Sequence, residues 1–174
     1  GVISTPSEYL RAVQSSTVES DIRQQYGVPD KASLAGLLFP DTYRFLPSTS
    51  AAEVIAKQAA AFRSRTANLS LSYDAIILAS IVEREARLDE DRAAIAGVYT
   101  NRLREGMPLQ ADPTVQFAKV ATTESSCATL SLIDQPNCAD FDWWPTVLRS
   151  DLQSTQSEYN TYLVTGLPPE PIAN

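Results

Sequence analysis

Residues that start and end helices recur along the chain, and they constrain its fold more than any other feature of the sequence. Ser50 and Glu53 have the spacing of a capping box, in which each side chain accepts a hydrogen bond from the other residue's backbone N–H. Asp112 followed by Pro113 is typical of another helix start, and Gly106 is placed to end a helix. The pattern predicts helices over residues 5–27, 48–69, 72–88, 89–106 and 111–120.

Two other stretches, residues 36–46 and 159–167, favour extended backbone. The first is apolar and aromatic around a Pro-Asp-Thr turn, and the second alternates before the turn residues of “GLPP”. We therefore expect a small sheet from these two regions. A chain of 174 residues suits one domain with a sizeable core. The predicted fold class is α+β, a mostly helical single domain with a small β-sheet.

The chain contains no histidine, and this limits the chemistry that it can perform. Ser-His-Asp catalysis, Cys-His catalysis and histidine-ligated metal sites are excluded, and two cysteines alone cannot form a structural zinc site. Acid–base chemistry near neutral pH would require a carboxyl group with a shifted pKa. The net charge of −7 argues against a nucleic-acid partner and against a polybasic membrane patch. We expect no metal and no cofactor.

The segment “SIVEREAR”, residues 80–87, contains two glutamates, Glu83 and Glu85. On a helical wheel with about 100° per residue, Glu85 falls on the apolar side, close to the direction of Leu78. Glu83 lies roughly 160° away on the same wheel, and it can pair with Arg87, four residues later, with the favourable polarity. The pattern therefore explains Glu83 as a surface charge, whereas it gives Glu85 no such explanation.

A carboxylate on the inward face of a helix, as predicted for Glu85, is costly unless it is paired or protonated. Desolvation raises the pKa of such a group, so that it can hold a proton near neutral pH and act as a general acid. The structural alternative is a buried salt bridge, and from the helix alone both interpretations remain open. The partner in that salt bridge would be Arg44, Arg84 or Arg102.

Four segments, which lie between residues 36 and 174, resemble the successive signature blocks of one protein family: “LLFPDTYRF”, “LASIVEREA”, “IAGVYTNRLREGMPLQADPTVQFA” and “YNTYLVTGLPPEPIAN”. That family is the YceG-like, MltG-type endolytic transglycosylases of bacterial cell walls. The order and approximate spacing of the segments match the family pattern. The resemblance is specific because “GMPLQADPT” and “GLPPEPIAN” are unusual sequences.

The resemblance implies non-hydrolytic cleavage of the β-1,4 bond between N-acetylmuramic acid and N-acetylglucosamine in nascent glycan strands, with 1,6-anhydro ends as products. It also implies a single catalytic glutamate on a lysozyme-like active-site helix. When “VEREA” is matched to the family motif, that glutamate is Glu85. The helical wheel and the resemblance thus select the same residue by separate routes.

Polar residues of the family blocks are the candidates for substrate binding. “LQADPT” and “YNTY” offer amides, hydroxyls and a carboxylate suited to sugar groups, but they could instead start a helix or pack in a strand, and “FPDTY” could form a turn or a cleft wall. The residues expected to bind substrate are Gln110, Asp112, Thr114, Asn160, Tyr162, Asp41 and Tyr43. Trp143 and Trp144 would suit sugar stacking but lie outside the blocks, so we expect them to contribute to packing.

Residues 119–158 have no clear counterpart in the family pattern and are interpreted as an insertion. They contain Cys127 and Cys138, for which a disulfide and two unrelated small apolar side chains are the alternatives. A disulfide would require an oxidising compartment. The resemblance implies such a compartment, the extracytoplasmic face of the bacterial cell membrane.

The resemblance also implies a longer protein. Full-length members carry an N-terminal transmembrane helix and a LysM-like module, so residues 1–174 are expected to be a catalytic-domain fragment with a truncated C-terminal end. The expected partners are peptidoglycan glycan strands and peptidoglycan synthases. Two other functions remain as alternatives, a peptidoglycan-binding module without activity and a pyridoxal-phosphate lyase. The lyase would need a Schiff-base lysine, and no lysine lies in the polar cores of the four blocks.

Overall fold

The computed structural model describes residues 6–13, 20–122 and 142–173, and this part of the chain is mostly helical. Short 3-10 turns at Ala35–Leu37 and Asp89–Asp91 supplement the α-helices. No helix among these residues combines the length and the apolar composition that crossing a bilayer requires. The α-helices are α1 (Pro6–Val13), α2 (Ser20–Tyr26), α3 (Ala51–Arg65), α4 (Tyr73–Glu85), α5 (Arg92–Arg104), α6 (Asp112–Thr122) and α7 (Asp151–Ser154).

The chain forms two compact units, Gly1–Tyr73 and Asp74–Ala173, each with its own buried apolar residues. The first unit buries side chains of α2, α3 and the turn between them: Ile22, Leu34, Leu37, Ile55 and Ala59. The second unit buries side chains from α4, α5, the segment before α6 and the C-terminal segment: Ile81, Val82, Tyr99, Leu109, Ala111 and Ile172.

Two predicted helix ends, the capping box before α3 and the glycine after α5, are confirmed. Ser50 and Glu53 form the predicted capping box at the start of α3, with Ser50 N–H donating to Glu53 Oε2 at 2.7 Å. Gly106 ends α5 in the left-handed region with a φ of 67°. The N–H of Met107 then reaches the carbonyl of Arg102 at 2.8 Å, which is the hydrogen bond of a Schellman motif.

Some predictions fall partly or wholly outside the described residues. The helix predicted over residues 5–27 is represented by α1 and α2, and residues 14–19 between them are not described. Cys127 and Cys138 also lie outside the described residues, so the disulfide remains a prediction.

The sheet predicted from residues 36–46 and 159–167 is not found, because the described part of the chain contains no β-strand. Beyond the 3-10 turn, residues 39–46 bond to α3 instead of to another strand. The N–H of Phe39 donates to the carbonyl of Gln58 at 3.4 Å, and Lys57 Nζ donates to the carbonyl of Arg44 at 3.0 Å. Prolines within and after the segment also remove backbone donors that a ladder would need.

Residues 159–167 form successive turns because local hydrogen bonds compete with strand pairing. The N–H groups of Leu163 and Val164 both donate to the carbonyl of Asn160 at 3.0 Å. The side chain of Asn160 closes a further turn, since its Oδ1 accepts from the N–H of Tyr162 at 3.0 Å. The alternating sequence was therefore a misleading strand signal.

A buried serine fixes the C-terminal segment against α4. Ser80 Oγ donates to the carbonyl of Ile77 at 2.7 Å and accepts from the N–H of Ile172 at 2.9 Å. Ile172 belongs to the same apolar cluster as Ile81. The end of the “GLPPEPIAN” block thus stabilises the helix that carries Glu85.

We predict that Ser80→Ala lowers the free energy of unfolding by about 1–3 kcal/mol, because the buried N–H of Ile172 loses its acceptor. Urea denaturation followed by circular dichroism measures this loss. The matched control is Ser64→Ala at an exposed position of α3, for which a change within about ±0.5 kcal/mol is expected. Equal denaturation midpoints for Ser80→Ala and the wild type would contradict the structural role.

Candidate active site

Glu85 is the last residue of α4, and its side chain opens onto a cavity of about 250 Å³ that we call the Glu85 groove. The C-terminal end of α4 forms one wall of this groove, α5 forms another, and the segment before α6 completes it. Glu85, Val98 and Gln110 are exposed, so the groove is open to solvent along one side. Its lining residues are Glu85, Ile95, Val98, Tyr99, Arg102 and Gln110.

The prediction that Glu85 lies on an inward helix face is only partly confirmed, because Glu85 lines the groove beside α5 but the residue as a whole is exposed. Its side chain is exposed, because α4 ends at this residue and no further helical turn covers it. The helical wheel assumed a helix that continues to Arg87. Glu85 therefore borders an open groove instead of being buried in the core.

The pKa of the Glu85 carboxyl is nevertheless raised above its ordinary value. Removal of solvent by the surrounding walls is the main cause, and the negative charge of Asp112 adds to it. The residue as a whole is exposed while its carboxyl group loses part of its hydration, since one side faces water and the other faces the wall of α5. Such a carboxyl group stays protonated to a higher pH than a fully solvated glutamate does, and it can still exchange its proton with water.

The salt-bridge alternative for Glu85 is not supported. Among the ion pairs of the described residues, none includes Glu85. Arg84 lies instead over the ring of Trp144, and Arg102 donates to the carbonyl of Leu109.

Glu83 has the structural role that the sequence indicated, but with a different partner. Its carboxylate contacts Arg92 at 2.9 Å rather than Arg87, which lies beyond the end of α4. Both side chains are about half exposed, at 50% for Glu83 and 43% for Arg92. The two glutamates therefore differ in environment, since only Glu83 is neutralised by an arginine.

The backbone at Gln110 is held in an unusual conformation. Its φ of 53° is in the left-handed region, which costs a residue with a side chain roughly 1–2 kcal/mol. Leu109 and Ala111 on either side are fully buried, and the N–H of Gln110 donates to the carbonyl of Thr161 at 3.0 Å. These contacts hold the strained residue and leave its amide side chain at the groove, as expected where backbone strain is kept for function.

Asp112 and Tyr162 form a hydrogen-bonded pair next to Glu85. Tyr162 donates its hydroxyl to Asp112 Oδ1 at 2.7 Å. Burial and the neighbouring Asp112 raise the pKa of Tyr162 to about 12, and burial together with the charge of Glu85 raises the pKa of Tyr99 to about 12. Both phenols therefore remain protonated donors at neutral pH.

Thr114 and Asn160, which were expected to bind substrate, are fully buried and engaged within the protein. Thr114 Oγ1 donates to the carbonyl of Ala111 at 2.7 Å and lies 2.8 Å from Thr161 Oγ1. Asn160 Nδ2 donates to the carbonyl of Thr155 at 2.9 Å. Thr114 joins the start of α6 to Thr161, Asn160 closes the turns of its own segment, and the burial of both side chains argues against direct contact with a substrate.

Asp41 and Tyr43 belong to the first compact unit, whereas the Glu85 groove belongs to the second. Asp41 pairs with Arg65 at 3.3 Å, with both side chains about half exposed. The hydroxyl of Tyr43 donates to the carbonyl of Phe39 at 2.7 Å. These contacts account for both residues locally, and their part in substrate binding stays a prediction.

Sequence reasoning missed Tyr99 and underestimated Arg102. Both lie on the face of α5 that borders the groove, because Tyr99 follows Ile95 by four residues and Arg102 follows Tyr99 by three. That spacing was a usable signal, but nothing in the sequence indicated which face of α5 meets the end of α4.

In the part of the chain that the structure describes, no three acidic or cysteine side chains are grouped so that they could hold a metal ion.

Comparison with known proteins assigns a family to this chain. The model of the YceG-like family matches residues 4–174, and the chain belongs to that family. An endolytic murein transglycosylase of Bacillus subtilis (strain 168) is 37% identical over 153 residues, which are 83% of this chain and 36% of the relative. An endolytic murein transglycosylase of Streptococcus pneumoniae (strain R6) is 32% identical over 97% of this chain and 31% of the relative.

The fold is also similar to that of a solved relative. The crystal structure of a yceG-like protein from Listeria monocytogenes superposes with a TM-score of 0.69 at 28% identity. The match covers 97% of this chain and 53% of that protein. The chain thus spans about a third of the length of the curated relatives and about half of the solved one.

We predict that Glu85→Gln does not lower the melting temperature at pH 7. A carboxyl whose pKa is raised by folding favours the protonated folded state, so its contribution to stability is lost as the pH rises through that pKa. The neutral glutamine avoids this loss. The variant should therefore be as stable as the wild type at about pH 4 and equally or more stable at pH 7, as measured by calorimetry.

Glu83→Gln is the matched control on the same helix. It removes the exposed ion pair with Arg92, and a loss of about 0–1 kcal/mol is expected at pH 7. A loss of about 3 kcal/mol or more for Glu85→Gln would indicate a broken buried ion pair and would contradict the structure.

Proposed function

We propose that this member of the YceG-like family is an endolytic lytic transglycosylase. It cleaves the β-1,4 bond between N-acetylmuramic acid and N-acetylglucosamine within nascent peptidoglycan strands and leaves 1,6-anhydro ends. The observation that carries the proposal is the carboxyl of Glu85, which lies at an open groove, has a raised pKa and takes part in none of the ion pairs among the described residues. Relatives named endolytic murein transglycosylases support the substrate class.

In the proposed first step, protonated Glu85 donates its proton to the glycosidic oxygen as the bond to the muramic anomeric carbon breaks. The departing N-acetylglucosamine residue leaves with a free 4-hydroxyl group, and positive charge develops on the muramic ring. The negative charge of Asp112 favours this charge as well as the protonated state of Glu85. Helix α4 thereby serves as the lysozyme-like active-site helix.

In the second step, ionised Glu85 accepts the proton of the muramic 6-hydroxyl, whose oxygen attacks the anomeric carbon and closes the 1,6-anhydro ring. The proton is returned to Glu85, so the reaction needs neither water nor a cofactor. Ordinary glycosidases use a second carboxylate to activate water or to form a covalent intermediate. Here the tethered hydroxyl is the nucleophile, and its high effective concentration replaces that carboxylate.

The groove offers donors and acceptors for a sugar around this acid. The Gln110 amide and the hydroxyls of Tyr162 and Tyr99 are proposed to bind sugar hydroxyl and acetamide groups, and Asp112 holds Tyr162 in place. A volume of about 250 Å³ is smaller than the about 300–1,000 Å³ of typical drug-sized sites. A groove of this size, open to solvent along one side, is proposed to accommodate a short part of a glycan strand.

The remaining proposals for the whole protein rest on the family resemblance. The substrate places the enzyme at the extracytoplasmic face of the bacterial cell membrane, with a membrane-anchoring helix and a LysM-like module outside residues 1–174. Peptidoglycan synthases are the proposed protein partners, because they produce the nascent strands. Asp41 and Tyr43 are retained as proposed substrate contacts of the first unit.

We predict that Glu85→Gln lowers the rate of formation of 1,6-anhydro ends by about 10²–10⁴-fold, the usual contribution of a general acid or base. Mass spectrometry of products from uncrosslinked peptidoglycan strands measures the rate. The control Glu83→Gln should retain activity. If the wild type binds strands but yields no anhydro ends, the chain is a binding module and the catalytic proposal fails.

We further predict that Asp112→Asn moves the alkaline limb of the pH–rate profile to lower pH. The first step needs protonated Glu85, so kcat/KM falls as the pH rises through the pKa of Glu85. Loss of the negative neighbour lowers that pKa.

The control for this shift is Tyr162→Phe. It removes the hydrogen bond to Asp112 but keeps the negative charge, so its alkaline limb should stay near that of the wild type. An unchanged limb in Asp112→Asn would contradict electrostatic control of Glu85 by Asp112.

A further inference from the structure

Arg84, which precedes Glu85 in the sequence, is stacked against Trp144, a residue outside the family blocks. The guanidinium carbon of Arg84 lies 3.5 Å from the ring centroid of Trp144, which is a close cation–π contact. Arg84 is exposed and takes part in none of the ion pairs among the described residues. The contact therefore joins the last turn of α4, where Glu85 lies, to residues 142–150.

Helix α6 holds the same segment from a second side. Gln116 Nε2 donates to the carbonyl of Pro145 at 3.2 Å, and Lys119 Nζ donates to the carbonyl of Thr146 at 3.0 Å. Lys119 also pairs with Asp151 at 2.6 Å. Gln116 lies one helical turn, about 6 Å, beyond Asp112, so the segment contacts both the helix that ends at Glu85 and the helix that begins at Asp112.

This arrangement does not bury the tryptophans as core packing would. Trp143 keeps 41% of its surface exposed, and Trp144 is partly buried under Arg84. A flat apolar ring with a polar neighbour suits the face of a sugar ring, where C–H groups are bordered by hydroxyls. Both residues therefore contribute to packing, and Trp143 in addition presents part of its surface to solvent.

We propose that Trp143, whose neighbour Trp144 is stacked on Arg84 in the last turn of α4, forms a second sugar subsite for the glycan strand. Trp143 would stack on a sugar ring beyond the one that occupies the groove, and the positive charge of Arg84 would favour a polar or anionic substituent on that sugar. This inference rests on the proposed function, because it assumes that a peptidoglycan strand occupies the groove.

The chain offers a direct reporter, because Trp143 and Trp144 are its only tryptophans. The probe is an uncrosslinked peptidoglycan strand of defined length, added to the Glu85→Gln variant so that no cleavage occurs. Tryptophan emission and its quenching by acrylamide are followed during the titration, while calorimetry measures binding independently. Further variants in this background are Trp144→Phe, Trp143→Ala and the control Leu148→Ala, an exposed residue of the same segment.

We expect a saturable emission change that agrees with the calorimetric Kd. The change and the protection from acrylamide should persist in Trp144→Phe, where Trp143 is the only reporter, and disappear in Trp143→Ala. Trp143→Ala should bind the strand about tenfold more weakly, as expected for the loss of one stacking surface, whereas Leu148→Ala should bind normally. With Glu85 intact, Trp143→Ala should raise KM and leave kcat unchanged.

Calorimetric binding without any change in emission or quenching would overturn the subsite and leave the proposed function intact. Equal affinities for the strand with and without Trp143→Ala in the Glu85→Gln background would also overturn the subsite and leave the proposed function intact. If Trp143→Ala does not fold, acrylamide protection in Trp144→Phe decides the question, because that variant retains Trp143. Absence of calorimetric binding together with absence of 1,6-anhydro ends from the wild type would overturn the proposed function and the subsite with it.

Discussion

The proposed chemistry of this chain depends on a carboxyl group that is partly desolvated and that forms no ion pair with the described residues. Glu85 reaches this state because α4 ends at the groove, so that α5 covers one side of the carboxyl and water covers the other. A negative neighbour, Asp112, acts in the same direction as burial and raises the pKa further. Glu83, two residues earlier on the same helix, instead forms an ion pair with Arg92 that neutralises its charge.

The groove in turn depends on contacts between family blocks that are distant in sequence. The backbone N–H of Ala111 donates to Thr161 Oγ1 at 3.1 Å, and Gln110 donates to the carbonyl of the same threonine. The buried Thr114 completes this contact from α6. A strained backbone conformation such as that of Gln110 persists only where surrounding contacts determine it. The hydrogen bonds to Thr161 therefore both hold Gln110 and position the segment that completes the groove.

Local features were predictable from the sequence, and tertiary ones were not. The capping box of Ser50 and the glycine stop at Gly106 depend on a few neighbouring residues, and both are confirmed. The wheel singled out Glu85, whose catalytic role stays a proposal, and it overestimated the burial of this residue because the end of α4 could not be known from the sequence. The predicted strand around Asn160 is wrong because that side chain satisfies the backbone locally. Tyr99 was missed because its role depends on which helices meet.

The most direct test of the central claim is a pH titration of the Glu85 side chain by carbon-13 NMR, with Glu85→Gln used to assign its carboxyl resonance. The account predicts a midpoint above the ordinary value of glutamate, about 4.3, and a lower midpoint once the charge of Asp112 is removed. A midpoint at or below the ordinary value would contradict the account, because Glu85 would then be a solvated carboxylate without a proton to donate.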